Sequence, residues 1–437
     1  MKVVVVGAGV AGLVCGRELQ KNGVNVTLLE SSDDVGGRVR SDVVEGHTID
    51  RGFQVLFDAY PMAKRHLNLS ALQLQAFDPG AVLCQNGRQH ILTDPMRDGD
   101  LADVASAMVS TSIPLPDKLR TLRLLQELTT DNSADDSRDI AEREDSQSTE
   151  QFLVSRGFSR RTIDTFFRPF YGGIFLDRQL RTSACAFKFY FRMMAEGKTA
   201  IPALGMSAIS KQLAEPLALS QSIKFGETVD QLIRDGDRTI GVRTTDGEEY
   251  FADSIVLAVD AHAASKLSSV SAPESAVGCT TVYLAGDRAI TERRKLFLNS
   301  NDDAFVNNLQ PLSVVAPAYS PPNRHLLGAT IIGVPDLNDT QIYAKAMLDI
   351  QTMLQSDKEA TRALASYSPL CVRRIQYAQF TQREGTLASL PGNVGPDCGL
   401  FFAAEWTQSC SINGAMLSGE KCAHAILAST PLVSNRE

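Results

Sequence analysis

The 437-residue sequence contains no CxxC pair, and its 8 cysteines (Cys15, Cys84, Cys185, Cys279, Cys371, Cys398, Cys410, Cys422) lie scattered with no histidine at ligand spacing. That pattern indicates neither a metal site nor a disulfide framework, and it points to a reducing, cytoplasmic compartment. A basic excess is also missing. Lys and Arg number 43 against 51 Asp and Glu, for a net charge of -8 and a pI near 5.4, so a nucleic-acid partner is not expected. No uninterrupted apolar run reaches the roughly 18 to 20 residues that a membrane-spanning helix needs. Met1-Lys2 and the apolar stretch to Cys15 look superficially like a secretion signal, but one lysine is a thin basic region and Val14 is a poor residue before a cleavage point. The expectation is a soluble protein, resting at most on a membrane surface.

What is present is ordinary globular material, 43% hydrophobic and 22% charged. At roughly 150 residues per domain the length suggests two or three domains, each able to bury a core and enclose a ligand. Charge is concentrated between Thr129 and Glu150, where eight acids (Asp131, Asp135, Asp136, Asp139, Glu142, Glu144, Asp145, Glu150) face only Arg138 and Arg143. That stretch is expected to be an exposed acidic linker near 129–150.

Lys2 to Val6 reads as a short strand, Val10 to Lys21 as a helix closed by Asn22-Gly23, and Asn25 to Glu30 as a second strand. This βαβ start suits a parallel sheet covered on both faces. From Asp50 to about Gly205 the pattern changes to helices and loops, including Leu115 to Leu128 and a Ser148-x-x-Gln151 capping box. Between Ile223 and Val259, Asp-Gly turns separate short strands into a β-meander that returns to the apolar strand Ser254 to Val259. Cys279 to Ala285, Arg324 to Gly333 and Leu400 to Ala404 read as further strands, and Thr340 to Leu354 and Ile412 to Leu427 as helices.

Gly7-x-Gly9-x-x-Gly12 lies between the first strand and the first helix. Gly7 permits the tight turn, Gly9 with Val10 and Ala11 lets backbone approach a pyrophosphate at the helix N-terminus, and Gly12 lets helix and strand pack closely. Glu30 closes the second strand, where a carboxylate accepts hydrogen bonds from ribose hydroxyls. An acid there disfavours a 2′-phosphate, which leaves FAD or NAD.

Further segments decide between them by resemblance. Glu30-Ser31-Ser32-Asp33-Asp34-Val35-Gly36-Gly37-Arg38, the segment Val229-Asp230-Gln231-Leu232-Ile233 with Ser254 to Val259, and Phe401-Phe402-Ala403-Ala404-Glu405-Trp406 followed by Ser411 to Gly419 together resemble the signatures of the FAD-dependent amine oxidase, protoporphyrinogen oxidase and phytoene desaturase superfamily. The resemblance implies noncovalent FAD held by Gly7, Gly9, Val10, Ala11, Gly12, Glu30, Ser31, Gly37, Arg38, Gly52, Phe53, Gln54, Val229, Glu405 and Ile412. In it, Gly37 and Arg38 serve the pyrophosphate, the Val229 backbone pairs with adenine, Glu405 binds the ribityl chain, and the helix from Ile412 faces the flavin pyrimidine, with Gly414, Ala415 and Gly419 allowing close approach. It also implies an α/β fold: a Rossmann-like FAD-binding domain, parallel sheet plus β-meander, from 1–52, 206–278 and 376–437, with a mixed α+β substrate domain from 53–205 and 279–375.

The segments Phe166 to Leu176 and Ile201 to Met206 look most like the desaturase and protoporphyrinogen oxidase side, with an apolar pocket for a small apolar substrate. Two departures count against a typical amine oxidase: no lysine stands at Val277 to Thr280, and Ser411 replaces an aromatic residue. With no second GxGxxG, oxygen or a quinone-like molecule is the expected electron acceptor. None of the histidines (His47, His66, His90, His262, His325, His424) lies in a recognisable catalytic constellation, so no catalytic residue and no metal ligand is named.

Overall fold

A computed structural model describes residues 1–93, 112–130, 134–273 and 275–429. Lys2–Val6 is a strand in which Val3 to Val6 are buried, and the helix Val10–Lys21 and strand Asn25–Glu30 follow at the bounds their periodicity predicts. Valines covered on both faces belong inside a parallel sheet. The five parallel strands run in the order Ile223–Phe225, Asn25–Glu30, Lys2–Val6, Ser254–Leu257, Leu400–Phe402. Both ends and the middle of the chain therefore meet in one sheet. The meander Val229–Asp235, Arg238–Thr244, Glu249–Phe251 is antiparallel and leads into the fourth of these strands.

The second large sheet has seven strands in the order Ser368–Phe380, Ala276–Gly286, His325–Ile332, Asn308–Gln310, Leu296–Asn299, Ala81–Gln85, Arg88–Leu92. All neighbours are antiparallel except Leu296–Asn299 with Ala81–Gln85. The interval from Asp50 to Gly205, expected as helices and loops, thus also supplies two strands here, and Leu56–Phe57, Gln75–Ala76 and Thr199–Ile201 make a small sheet of their own. Strands of two to five residues with distant partners carry too short a period to be seen locally. The boundaries expected at 278 and 376 fall inside the continuous strands Ala276–Gly286 and Ser368–Phe380.

Ser148 and Gln151 form the reciprocal cap of the helix Thr149–Ser155, and Leu115–Thr130 is helical. The acidic stretch is not a solvated linker in its described part, whereas 131–133, with Asp131, lie outside the described residues. Asp136 is 0% exposed, caps the helix Ser137–Ala141, and accepts a hydrogen bond from Ser409 Oγ at 2.7 Å. Arg138 on that helix donates to the carbonyls of Leu390, Pro391 and Thr407. A composition reading counts charges but not the partners that let one be buried.

Burial pushes the Asp136 carboxyl up to about 6, with Asp139 adding to the effect and Ser409, the Ser137 amide and Lys421 opposing it. The folded state therefore holds this proton more tightly than the unfolded chain. Its contribution to stability is complete below about pH 4 and is lost as pH rises through about 6. Asp136→Asn keeps a capping side chain. It is expected to unfold at higher denaturant than the parent at pH 8, by up to about 3 kcal/mol, with the difference gone at pH 4. Urea titrations at the two pH values check this, and an equal offset at both would show that the carboxyl does not titrate there.

The helix Ile412–Ser429 crosses Val10–Lys21 at Gly419, where an added Cβ would stand 2.3 Å from the Ala11 carbonyl oxygen. Backbone cannot retreat as a flexible side chain can. Gly419→Ala is expected to cost about 1 to 3 kcal/mol and to lower FAD content, measured by urea unfolding and by flavin released per chain. Among the described residues no helix is long and apolar enough to cross a membrane.

Candidate active site

Where the five-stranded sheet ends, the chain leaves Val6 through Gly7 at φ 105°, a conformation suited to glycine, and an added Cβ would meet the Ala258 carbonyl oxygen at 2.5 Å. Gly9 then precedes the helix Val10–Lys21, which begins with no side-chain cap and no acid in its first turn. Space is open beside Gly9, with nothing within 4 Å of an ideal Cβ. Helix-end N–H groups left without side-chain partners and flanked by open space make an anion seat. The loop Gly36-Gly37 lies alongside, tied by the Gly36 amide to the Ala8 carbonyl at 2.9 Å.

Glu30 is 7% exposed and is held from two sides. Its Oε2 accepts the Ala8 amide at 2.8 Å, and its Oε1 accepts the Ser32 amide at 3.0 Å and the Ser32 hydroxyl at 2.7 Å. The carboxylate that closes the second strand thereby also fixes the glycine loop. The chain returns past it at Glu227, whose amide donates to the Glu30 carbonyl at 2.9 Å, and this delivers Val229 to the same wall.

Arg38 spans the next stretch. Its Nη2 stands 2.5 Å from Glu405 Oε1, its Nη1 donates to the Ala378 carbonyl at 3.0 Å, and its guanidinium lies 5.4 Å from the centre of the Tyr377 ring. Burial alone would lower the Arg38 pKa, but the Glu405 charge and hydrogen bond outweigh it and hold the value above that of an ordinary arginine. Gln54 fixes this loop from below, donating to the Arg38 carbonyl at 2.7 Å and the Arg51 carbonyl at 3.1 Å.

These groups line one cavity of about 680 Å³. Gly7, Gly9, Val10, Ala11, Glu30, Ser31, Gly37, Arg38, Gly52, Phe53, Gln54, Val229, Glu405 and Ile412 all stand on its wall. Gly12 does not. It packs behind, where an added Cβ would lie 2.1 Å from the Gly7 carbonyl oxygen, in the helix-to-strand role expected of it. An uncapped helix end, a buried carboxylate and an arginine along one trough fit the phosphates and ribose of a dinucleotide.

One expectation is corrected. Gly414 and Gly419 do not bring their helix towards the cavity, because the space a side chain would take at each is filled by Ser409 and Ala11. The cavity end of that helix is formed by Ser411, Ile412 and Ala415, with the Gly414 amide donating to Ser411 Oγ at 2.7 Å.

The covering helix Arg168–Phe175 contributes Pro169, Phe170, Gly173 and Ile174, followed by Leu176, whereas Phe167, Tyr171 and Phe175 are buried in the core. Ile201 to Met206 do not reach the wall, though Thr199 does. The sequence reading missed Tyr60, Tyr190, Asn308, Thr330 and Tyr377, which also line the cavity. They come from elements far apart in the chain, and no short motif marks them. Among the described residues no histidine lines it.

The sequence profile of the flavin containing amine oxidoreductase family matches residues 10–427 of this chain. Zeta-carotene desaturase from Synechocystis sp. (strain ATCC 27184 / PCC 6803 / Kazusa) is 24% identical over 492 aligned positions, which cover 98% of this chain and 97% of that protein. Protoporphyrinogen oxidase 2, chloroplastic/mitochondrial, from Arabidopsis thaliana is 42% identical over 60 residues, only 14% of this chain and 12% of that protein. Among solved structures, wild-type putrescine oxidase bound to putrescine superposes with a TM-score of 0.71 at 17% identity, covering 98% of this chain and 99% of that one.

Proposed function

Because the chain belongs to the flavin containing amine oxidoreductase family and is an FAD-dependent oxidoreductase, we propose that it takes a hydride from an apolar substrate, unsaturated or cyclic, of carotenoid-like, isoprenoid-like or porphyrinogen-like character. One observation carries this reading: the distribution of charge on the cavity wall. Glu30, Arg38, Glu227, Asp260 and Glu405 all come from the elements that carry the nucleotide signatures, and Arg51 adjoins them. The covering helices and the seven-stranded sheet contribute no charged residue at all to the wall. A cationic amine placed there would have no carboxylate to offset its desolvation. Phe170, Ile174, Leu296, Leu298 and Ile375 offer an apolar substrate surface instead.

In this reading the five-stranded sheet with its glycine loop, the meander and the segment from Leu400 onward hold the cofactor, and the covering helices with the seven-stranded sheet hold the substrate. Glu30 takes the ribose hydroxyls, the amides after Gly9 together with Arg38 take the pyrophosphate, the Val229 backbone takes the adenine, and Glu405 takes the ribityl chain. FAD supplies the hydride acceptor at N5. The protein orients the substrate and excludes water, since the cofactor carries the chemistry. Electrons leave to oxygen or a quinone-like acceptor.

Noncovalent attachment is the expectation, and the thiols on the wall are consistent with it. Burial pushes Cys279 up to about 11 and Cys410 well above its ordinary value, so neither is a thiolate near neutral pH. Denaturation is expected to release all the FAD into the supernatant.

Anaerobic mixing tests the substrate class. Polyenes or porphyrinogens are expected to bleach the visible flavin band, whereas a broad amine panel leaves it unchanged. Bleaching by amines, with hydrogen peroxide on admission of air, would replace the apolar reading with that of an amine oxidase.

A further inference from the structure

Two polar side chains stand side by side in the apolar half of the cavity, apart from Tyr377 and Gln379, which reach the wall from the edge strand Ser368–Phe380 of the same sheet. Asn308 and Thr330 are both 4% exposed, and they face each other across antiparallel strands, so their side chains leave the same face of the sheet towards the wall they line. Leu298 flanks Asn308 on its other side.

The surrounding hydrogen bonds fix what these two side chains offer. The Pro169 carbonyl can only accept, and Asn307 Nδ2 donates to it at 2.9 Å, which sets the orientation of the Asn307 amide. The same Nδ2 donates to Asn308 Oδ1 at 2.9 Å, so the oxygen of Asn308 is engaged and its NH₂ has no protein acceptor among the described residues. Gln310 spends both of its N–H groups, one on the Asn308 carbonyl at 3.1 Å and one on Thr330 Oγ1 at 3.0 Å. Thr330 Oγ1 is thus an acceptor from Gln310, and its own hydrogen is free to point elsewhere. Asn307 and Gln310 are buried positioning residues that leave two adjacent donors between Leu298 and the apolar residues of the covering helix.

We propose that Asn308 Nδ2 and the Thr330 hydroxyl form a neutral two-donor subsite that receives a carbonyl oxygen of the substrate. This rests on the apolar-substrate reading and narrows it: the substrate is an apolar molecule bearing a ketone, aldehyde, ester or amide. An ammonium group would meet donors where it needs acceptors. A carboxylate could accept both bonds, but the seven-stranded sheet and the covering helices place no cation beside the pair to offset its burial, Arg38 and Arg51 belonging to the cofactor side of the cavity. A neutral carbonyl satisfies both donors without adding charge.

The test uses FAD-loaded protein titrated with 2-decanone, decanoate and decylamine, read from the perturbation of the bound flavin's visible spectrum. The ketone is expected to bind at least about tenfold more tightly than either charged probe. Asn308→Leu and Thr330→Val are each expected to weaken ketone binding by about tenfold, the value of one hydrogen bond, with FAD content unchanged. Variants that retain FAD and bind 2-decanone as the parent does would overturn the subsite while leaving the apolar reading intact. A parent that prefers decylamine would overturn both. Thr330→Val changes little in shape, so it keeps the question answerable if Asn308→Leu fails to fold.

Discussion

Glu30→Ala is expected to weaken FAD binding by about 10- to 100-fold, because a hydrogen bond to a charged group is worth roughly 1.5 to 3 kcal/mol and each 1.4 kcal/mol is tenfold. The structure adds a second loss to that of the ribose contact. Glu30 Oε2 is the acceptor for the Ala8 amide inside the glycine loop, so alanine leaves that N–H unpaired and frees the loop meant to hold the pyrophosphate. Glu30→Gln keeps a side-chain oxygen but not the charge, and should fall between parent and alanine. Titration of apoprotein with FAD, followed by flavin fluorescence, gives the three dissociation constants. Equal constants for parent and Glu30→Ala would show that Glu30 does not hold the cofactor.

The second large effect concerns Arg38 and Glu405. Their side chains are 36% and 9% accessible, so Arg38→Met leaves a mostly buried carboxylate without its partner. Breaking a fully buried pair costs about 3 to 5 kcal/mol; partial solvent access to Arg38 reduces the expected loss here to about 2 kcal/mol. FAD content should fall as well. Replacing both residues, Arg38→Met with Glu405→Leu, removes the stranded charge and should restore most of the stability while FAD binding stays lost. Chemical denaturation and flavin content per chain separate the two effects. A double variant that recovers FAD along with stability would show that the pair only supports the fold.

Much of the cofactor half was legible because its signals are local. Lys2 to Glu30 carries a strand, glycine turn, helix and strand in consecutive residues, each with its own periodicity, and all three elements appear at their expected bounds. The capping box at Ser148 was readable for the same reason. The substrate half was not, because its wall is assembled by register. Asn308 sits in a three-residue strand, and only its pairing with Thr330 on one side and Leu298 on the other places it in the cavity. Asp136 shows the opposite failure: a dense run of acids suggests solvent, yet one hydroxyl from Ser409, 273 positions away, makes a buried cap of it.

The order of strands in the parallel sheet also sets a schedule for biosynthesis. Lys2–Val6 is central, but its neighbour Ser254–Leu257 and the outer strand Leu400–Phe402 are made far later than it is. At translation rates of 5 to 20 residues per second, roughly 20 to 80 s pass before the final strand reaches its place. Throughout that interval the nascent chain carries open apolar sheet edges, which are templates for aggregation. The glycine loop is finished early, but Glu405 and the helix N-terminus at Ile412 that complete the cavity are not. Cofactor capture therefore waits until Glu405 and Ile412 have been made, long after the glycine loop that holds the pyrophosphate end.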